Sequence, residues 1–351
     1  MILDERKRKI LQAIIDDYID TAEPIGSRTI ARKHEWGISS ATIRNEMADL
    51  EEMGYLAQPH TSSGRIPSDK GYRLYVDQLM QVNDLNGDEI ECIRSAMELR
   101  ISELSQLIRQ ASAVLSRFTK YTSMAVTPSM KSSTIKAVQA VPIENGKAMV
   151  IIVTNAGVVR SCLVNIPDSI QPDDLIMISN AVNSKLAGMT IEEVGMKVIS
   201  ELETEAGIPE EALLPIMDAA ADCINQIDNP EVYIEGATNI FNYPEFRDMI
   251  KAREFISMLD KKASICKMLF DSVERGGITI RIGSENYISG IRDCSLVTAD
   301  YIIANTLIGS IGIIGPTRME YPKVISSIKY IRKLMGEEVS RLLGLEPSED
   351  G

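Results

Sequence analysis

The sequence predicts an α+β multidomain protein. An N-terminal winged helix-turn-helix is followed by a strand-rich domain interrupted by a mostly helical insert. Three features of the chain support this. Residues 1–82 hold three short helical patterns and then two short apolar runs about a Gly-containing turn, the order of a winged helix. From Ser123 the apolar period becomes two, and strand patterns return near Ile278. Between these stretches, from about 168 to 262, most of the pattern is helical.

The first helix is expected over Leu3 to Ile19, with Ile10, Leu11, Ile14, Ile15 and Tyr18 on its core face. Asp4 and Glu5 complement the positive end of its dipole. Pro24 disfavours helix at Glu23, so the helix ends near Thr21. Ser27 is expected to cap a short second helix carrying Ile30 and Ala31. Trp36-Gly37-Ile38 forms the turn. Ser39 or Ser40 caps a third helix, where Ile43, Met47, Leu50 and Met53 make one buried face. The opposite face carries Asn45, Ala48 and Glu52, flanked by Arg44.

That third helix has the make-up of a recognition helix. Its first turn is small and polar (Ser39, Ser40, Ala41, Thr42), which permits close approach to a phosphate or groove. Arginine can bridge guanine O6 and N7, and asparagine can pair with adenine N6 and N7. Arg44 and Asn45 are therefore the candidates for base contact, with Ser39, Ser40 and Thr42 near phosphate. The bland alternative is a solvated polar face. After Gly54, Tyr55 to Gln58 is a short strand, Thr61 to Gly64 a turn, and Arg65-Ile66-Pro67 the return. Such a wing can place His60, Ser62 or Arg65 at the backbone or in the minor groove. Ser68 caps a further helix whose polar side adds Lys70 and Arg73 as candidates, or as simple solvated charges.

Asn83 to Gly87 reads as a linker. A long helix from Asp88 follows, with Met97, Ile101, Leu104, Ile108, Ala111, Leu115 and Phe118 in steps of four and three. Its broad stripe favours packing on the next domain over a dimeric coiled coil. Strands are expected at Ile135–Val138, Ala148–Val153 and Val158–Ile166. Helices follow at about 172–187, 191–206 and 209–227, and one from Pro244 through Leu269. Strands resume at Ile278–Ile282, Cys294–Ile303 and Ile311–Ile314, and Tyr321 to Leu343 closes the chain as a helix.

The chain has 351 residues, 44% of them hydrophobic and 25% charged, enough for two or three cored domains. No apolar run approaches the ~20 residues of a membrane helix. Met1 opens onto LDERKRK with no apolar run behind it, so no secretory leader is expected. The five cysteines are scattered, which fits free thiols in a reducing cytoplasm. Net charge is -13, which argues against a general polyanion binder. Residues 1–80, however, hold eleven Lys/Arg against thirteen Asp/Glu, so most of the excess acid lies elsewhere. DNA affinity must then rest on placed local contacts. With only His34 and His60 and no Cys/His spacing, neither a metal nor another cofactor is expected. No nucleophile elbow or phosphate loop is present, and nothing motivates an enzyme. The glycines of IGSIGIIGP (Ile308–Pro316) read as close backbone packing rather than a phosphate cradle.

At GSRTIARK (Gly26–Lys33), SSATIRNEMADLEEMGYL (Ser39–Leu56) and QPHTSSGRIPSDKGYRLYVD (Gln58–Asp77) the chain resembles the HrcA family, the heat-inducible transcription repressors of bacteria. IEGATNIFNYPEF, GSENYISGIRDCSLVTADY and IGIIGPTRMEYPKVISSI extend the resemblance to most of the length. It implies a winged-helix DNA-binding domain, a GAF-like α/β domain and a dimerisation domain inserted into the latter. The corresponding spans are 1–82, 88–167, 168–262 and 263–345, with a tail at 346–351. It also implies a homodimer that binds double-stranded DNA at the inverted-repeat operator CIRCE and blocks chaperone-gene transcription. The chaperonin would keep it active, and heat stress would release it. A ligand-sensing regulator using the GAF-like domain is the alternative reading.

Overall fold

A computed structural model describes residues 3–34, 36–60, 63–97, 104–127, 133–155, 158–194, 210–228, 230–270, 277–303 and 306–343. The N-terminal unit holds α1 (Glu5–Thr21), α2 (Ser27–Lys33) and α3 (Ser40–Glu52). The hairpin of β1 (Leu56–Ala57) and β2 (Ile66–Pro67) follows, then α4 (Asp69–Leu74), which continues as a π turn to Leu79. Asp4 caps α1 and Ser39 caps α3, each accepting a backbone N–H of its own first turn. Ala22 adopts a left-handed conformation, so α1 ends ahead of Pro24. The second helix starts at Ser27 itself, with Gly26 in the capping position.

The expected long helix from Asp88 is two helices, α5 (Gly87–Met97) and α6 (Leu104–Thr119). The two helices lie against each other, and the Gln110 amide of α6 donates to the Ala96 carbonyl of α5. A heptad-like stripe cannot distinguish one long helix from a helical pair whose apolar faces meet. Leu107, Ile108, Ala111 and Leu115 are fully buried within the single chain, so the stripe packs inside the protein rather than waiting for a coiled-coil partner.

Five strands form the central sheet: β3 (Thr122–Val126), β7 (Val232–Glu235), β8 (Ile278–Ile282), β9 (Cys294–Ile303) and β10 (Thr306–Pro316). Their order is β7-β3-β10-β9-β8, antiparallel throughout. Alternation splits its side chains between two cores. Ala125, Val297, Ile311 and Ile313 join α6 and α11 (Tyr321–Leu343) on one face. Met124, Val126, Leu296 and Ile314 meet α9 (Met249–Leu259) and α10 (Lys262–Phe270) on the other. The single helix expected from Pro244 to Leu269 is thus a 3-10 turn and two helices. The glycines of β10 do serve close packing. A Cβ on Gly312 would lie 2.7 Å from Leu269 Cδ2, and one on Gly315 2.6 Å from Tyr121 Cδ1.

The strands expected in the first part of the central domain belong elsewhere. β4 (Ile135–Glu144), β5 (Lys147–Thr154) and β6 (Val159–Asn165) form a separate antiparallel sheet. Its inner face packs on α7 (Pro172–Leu186) and α8 (Glu210–Asp228), with Val138, Val150, Ile178, Val182, Ile216 and Met217 in a core of their own. Asn183 both accepts from Val138 N and donates to its carbonyl, and Ser179 accepts from Ala140 N. These bonds of α7 cover the β4 edge. The expected boundary at 167/168 therefore cuts through this unit, and helices up to Phe270 return to the central sheet. Alternation marks a strand but not the sheet it joins. Most of the helix expected over 191–206, and the tail at 346–351, lie outside the described residues.

Candidate nucleic-acid interface

α3 divides its polar residues between two tasks. Glu46 and Asp49 turn toward α1, where Lys7 Nζ lies 2.6 Å and 3.0 Å from their carboxylates. Those hydrogen bonds hold the Lys7 ammonium well above the usual lysine range. Ile43, Met47 and Leu50 are buried. The outward face is left with Arg44, Asn45, Ala48 and Glu52, all exposed. At its start, the Ser39 hydroxyl accepts from Thr42 N (3.1 Å) and lies 2.9 Å from Thr42 Oγ1. Ser40 and Thr42 are half-buried in the first turn. Ser39 thus has a structural duty as the cap beside its expected place near phosphate.

The hairpin is pinned to the start of α2. Ile25 N donates to the Arg65 carbonyl (2.9 Å) and Arg65 N to the Ile25 carbonyl (2.8 Å). This approach requires Gly64, because a Cβ there would collide with the Ile25 backbone. The tip is closed by Ser63, whose hydroxyl donates to the His60 carbonyl (2.7 Å) and accepts from His60 N (3.0 Å). His60 is exposed, and Ser62 lies outside the described residues.

The other three cations predicted for the site have partners inside the protein. Arg65 Nη2 lies 2.7 Å from Glu51 Oε2, so its charge braces the hairpin against α3. Lys70 Nζ donates to the Met53 carbonyl (2.8 Å) and sits over the Tyr55 ring, closing the C-terminal end of α3. Arg73 is engaged most heavily. Its Nε and Nη2 reach the two oxygens of Glu285 at 2.8 Å and 2.5 Å, Nη2 donates to the Ile280 carbonyl (2.6 Å), and Nη1 to Asp77 (3.1 Å). Beside it, Ser284 N donates to Asp69 (2.8 Å). Together these bonds clasp α4 to the β8 end of the central domain.

Between α2, α3 and the hairpin lies an open cleft of about 480 Å³. Arg28, Arg44, Arg65, Ser27, Gln58 and Ser63 contribute to its lining, and among the described residues no carboxylate does. Arg28 was not singled out from the sequence. Nothing in GSRTIARK shows that its third residue shares a cleft with Arg44, because the contact depends on the pairing of Ile25 with Arg65.

The family model described as HrcA protein C terminal domain matches residues 105–325. The heat-inducible transcription repressor HrcA of Ruminiclostridium cellulolyticum is 60% identical over 345 residues, covering 98% of this chain and 99% of the relative. The protein of the same name from Acetivibrio thermocellus is 54% identical, covering 99% of each. A crystal structure described only as that of a hypothetical protein superimposes with a TM-score of 0.70 at 23% identity, covering 97% of this chain and 100% of the other, and shares the fold. On this identity and coverage, the chain belongs to the HrcA family, whose curated members are named heat-inducible transcription repressors.

Proposed function

We propose that this protein is a repressor of heat-shock chaperone genes that acts on double-stranded DNA as a homodimer. Residues up to about 82 form the winged helix, with α3 as recognition helix and the β1–β2 hairpin as wing. The central sheet with its flanking helices is the GAF-like domain. Arg44 and Asn45 read bases, Ser39, Ser40 and Thr42 lie at phosphate, and His60 with Ser62 serves the wing tip. Arg65, Lys70 and Arg73 act indirectly, by bracing the wing, closing α3 and clasping the domain. The observation that carries this reading is the outward face of α3, which exposes Arg44 and Asn45 beside a cleft without acid.

The separate unit that holds β4, β5 and β6 supports the dimer reading. Its outer sheet face leaves Val141, Ile143, Val159 and Leu163 exposed, a cluster that a second copy would cover. A two-fold protein matches an inverted repeat, here CIRCE, and each half-site adds affinity. Family membership supports the remainder: the chaperonin maintains activity, and heat stress removes it.

Competition of labelled operator against scrambled DNA over a salt series tests the reading. The wild type is expected to prefer the operator at every salt concentration. Arg44→Ala should lose roughly 1–3 kcal/mol per half-site, mostly as lost discrimination. Equal affinity of the wild type for both DNAs would sink the proposal.

A further inference from the structure

We infer that Arg28 is a phosphodiester-backbone contact, the non-specific partner of Arg44 in the cleft between α2, α3 and the hairpin. This rests on the DNA-binding reading above and deepens it. The eleven cations of residues 1–80 separate cleanly by their partners. Arg6 and Lys7 pair with Glu46, Lys9 with Glu5, Lys33 with Asp17, and Arg65 with Glu51. Arg8 donates to the Gln78 carbonyl, Lys70 to that of Met53, and Arg73 to Glu285. Of these eleven cations, only Arg28, Arg32 and Arg44 have no hydrogen bond or ion pair with a described residue. Two of these three, Arg28 and Arg44, line one cleft.

The ion-paired cations are balanced by carboxylates within the protein, while Arg8 and Lys70 keep their charge but are tied to backbone carbonyls. A polyanion gains little from the former unless an internal pair is broken first. The unpaired arginines keep their full charge for an outside partner. The cleft adds hydroxyl and amide groups from Ser27, Ser63 and Gln58, and its one other ion, Arg65, is balanced by Glu51. Its surplus is therefore two positive charges, in a chain whose total is -13.

Position separates the two arginines. Arg44 stands on the outward face of α3. Arg28 stands on α2, held against the hairpin through Ile25 and Arg65. In helix-turn-helix docking, the helix before the recognition helix crosses the sugar-phosphate backbone. A guanidinium there takes phosphate oxygens in its planar fork and reads no base.

The test compares Arg28→Ala, Arg28→Lys and Arg32→Ala with the wild type, on operator and on scrambled duplex, over a salt series. Arg28→Ala should weaken both DNAs by the same factor and make the slope of log Kobs against log salt shallower by about 0.9 per subunit. Arg28→Lys keeps the charge and should keep the slope. Arg32→Ala, outside the cleft, should leave it unchanged. A wild-type slope in Arg28→Ala would overturn the inference. So would a loss confined to the operator, or an equal loss in Arg32→Ala. If the wild type failed to prefer the operator, the repressor reading would fall, while the slopes on scrambled duplex would still decide the role of Arg28.

Discussion

Arg73 and Glu285 offer a quantitative test of the domain clasp. Their side chains are 31% and 35% exposed, so the pair is partly screened. A bidentate pair in that setting contributes about 1 kcal/mol. Arg73→Ala also removes the donor to the Ile280 carbonyl, worth about another 1 kcal/mol. The single change should therefore cost about 2 kcal/mol, and Glu285→Ala, which also loses the bond from Ile282 N, about 2 kcal/mol as well. In a denaturant-based double-mutant cycle the coupling should be about 1 kcal/mol. Additive losses would refute the clasp as an energetic link. The pair also fixes a pH dependence. Burial alone would raise the Glu285 carboxyl, but hydrogen bonds from Arg73 and Ile282 N outweigh it and leave it below its ordinary 4.5. The ionised carboxylate is favoured on folding. Its contribution is therefore present above pH 4.5 and lost as pH falls through the lower folded value. Glu285→Gln should flatten this part of the acid limb.

Other changes probe separate parts of the molecule. Gly64→Ala should push the hairpin off Ile25 and weaken DNA binding more than it lowers the melting temperature, read by gel shift and calorimetry on the same sample. Gly312→Ala should cost about 1–3 kcal/mol by overpacking against Leu269 and Thr298, measured by urea unfolding. Burial pushes the Cys223 thiol up to about 12, helped by its neighbour Cys162, so it stays protonated at neutral pH. Alkylation followed by mass spectrometry should modify exposed Cys92 first and Cys223 only on unfolding. Val159→Asp with Leu163→Asp should convert the dimer to a folded monomer in analytical ultracentrifugation, and a persistent dimer would move the interface elsewhere.

The N-terminal elements were legible in the sequence because each carries a local signal. Pro24, the Ser39 cap, Gly54 and the Ser68 cap each act within a few residues. The closing helix Tyr321–Leu343 was equally plain from its period. What escaped was non-local. The strand character beginning at Ser123 marks β3, but a strand buried on both faces gives no sign of which sheet it joins. The assignment of β4 to β6 depends on where α7 and α8 pack, which no window of sequence contains. The same holds within the interface. The exposure of Arg44 follows from the helical pattern, whereas the engagement of Arg73 depends on Glu285, 212 residues away. Residue type indicated which side chains could meet DNA; pairing across the fold decides which are free to.

The core of the N-terminal unit is continuous with that of α6, α11 and one face of the central sheet, while the unit of β4 to β6 keeps its own. The N-terminal unit is therefore expected to unfold together with the central sheet rather than with a melting point of its own. Loosening the central sheet removes the floor beneath Tyr72 and α1, and the placement of α3 is lost in the same cooperative step. The unit of β4 to β6, with its separate core, can outlast that step as a foldon, and under the proposed dimer it would keep two inactive heads joined. Under the proposed function such a chain needs no dedicated thermometer, because affinity for a two-part site would be tied to the unfolding of a single shared core.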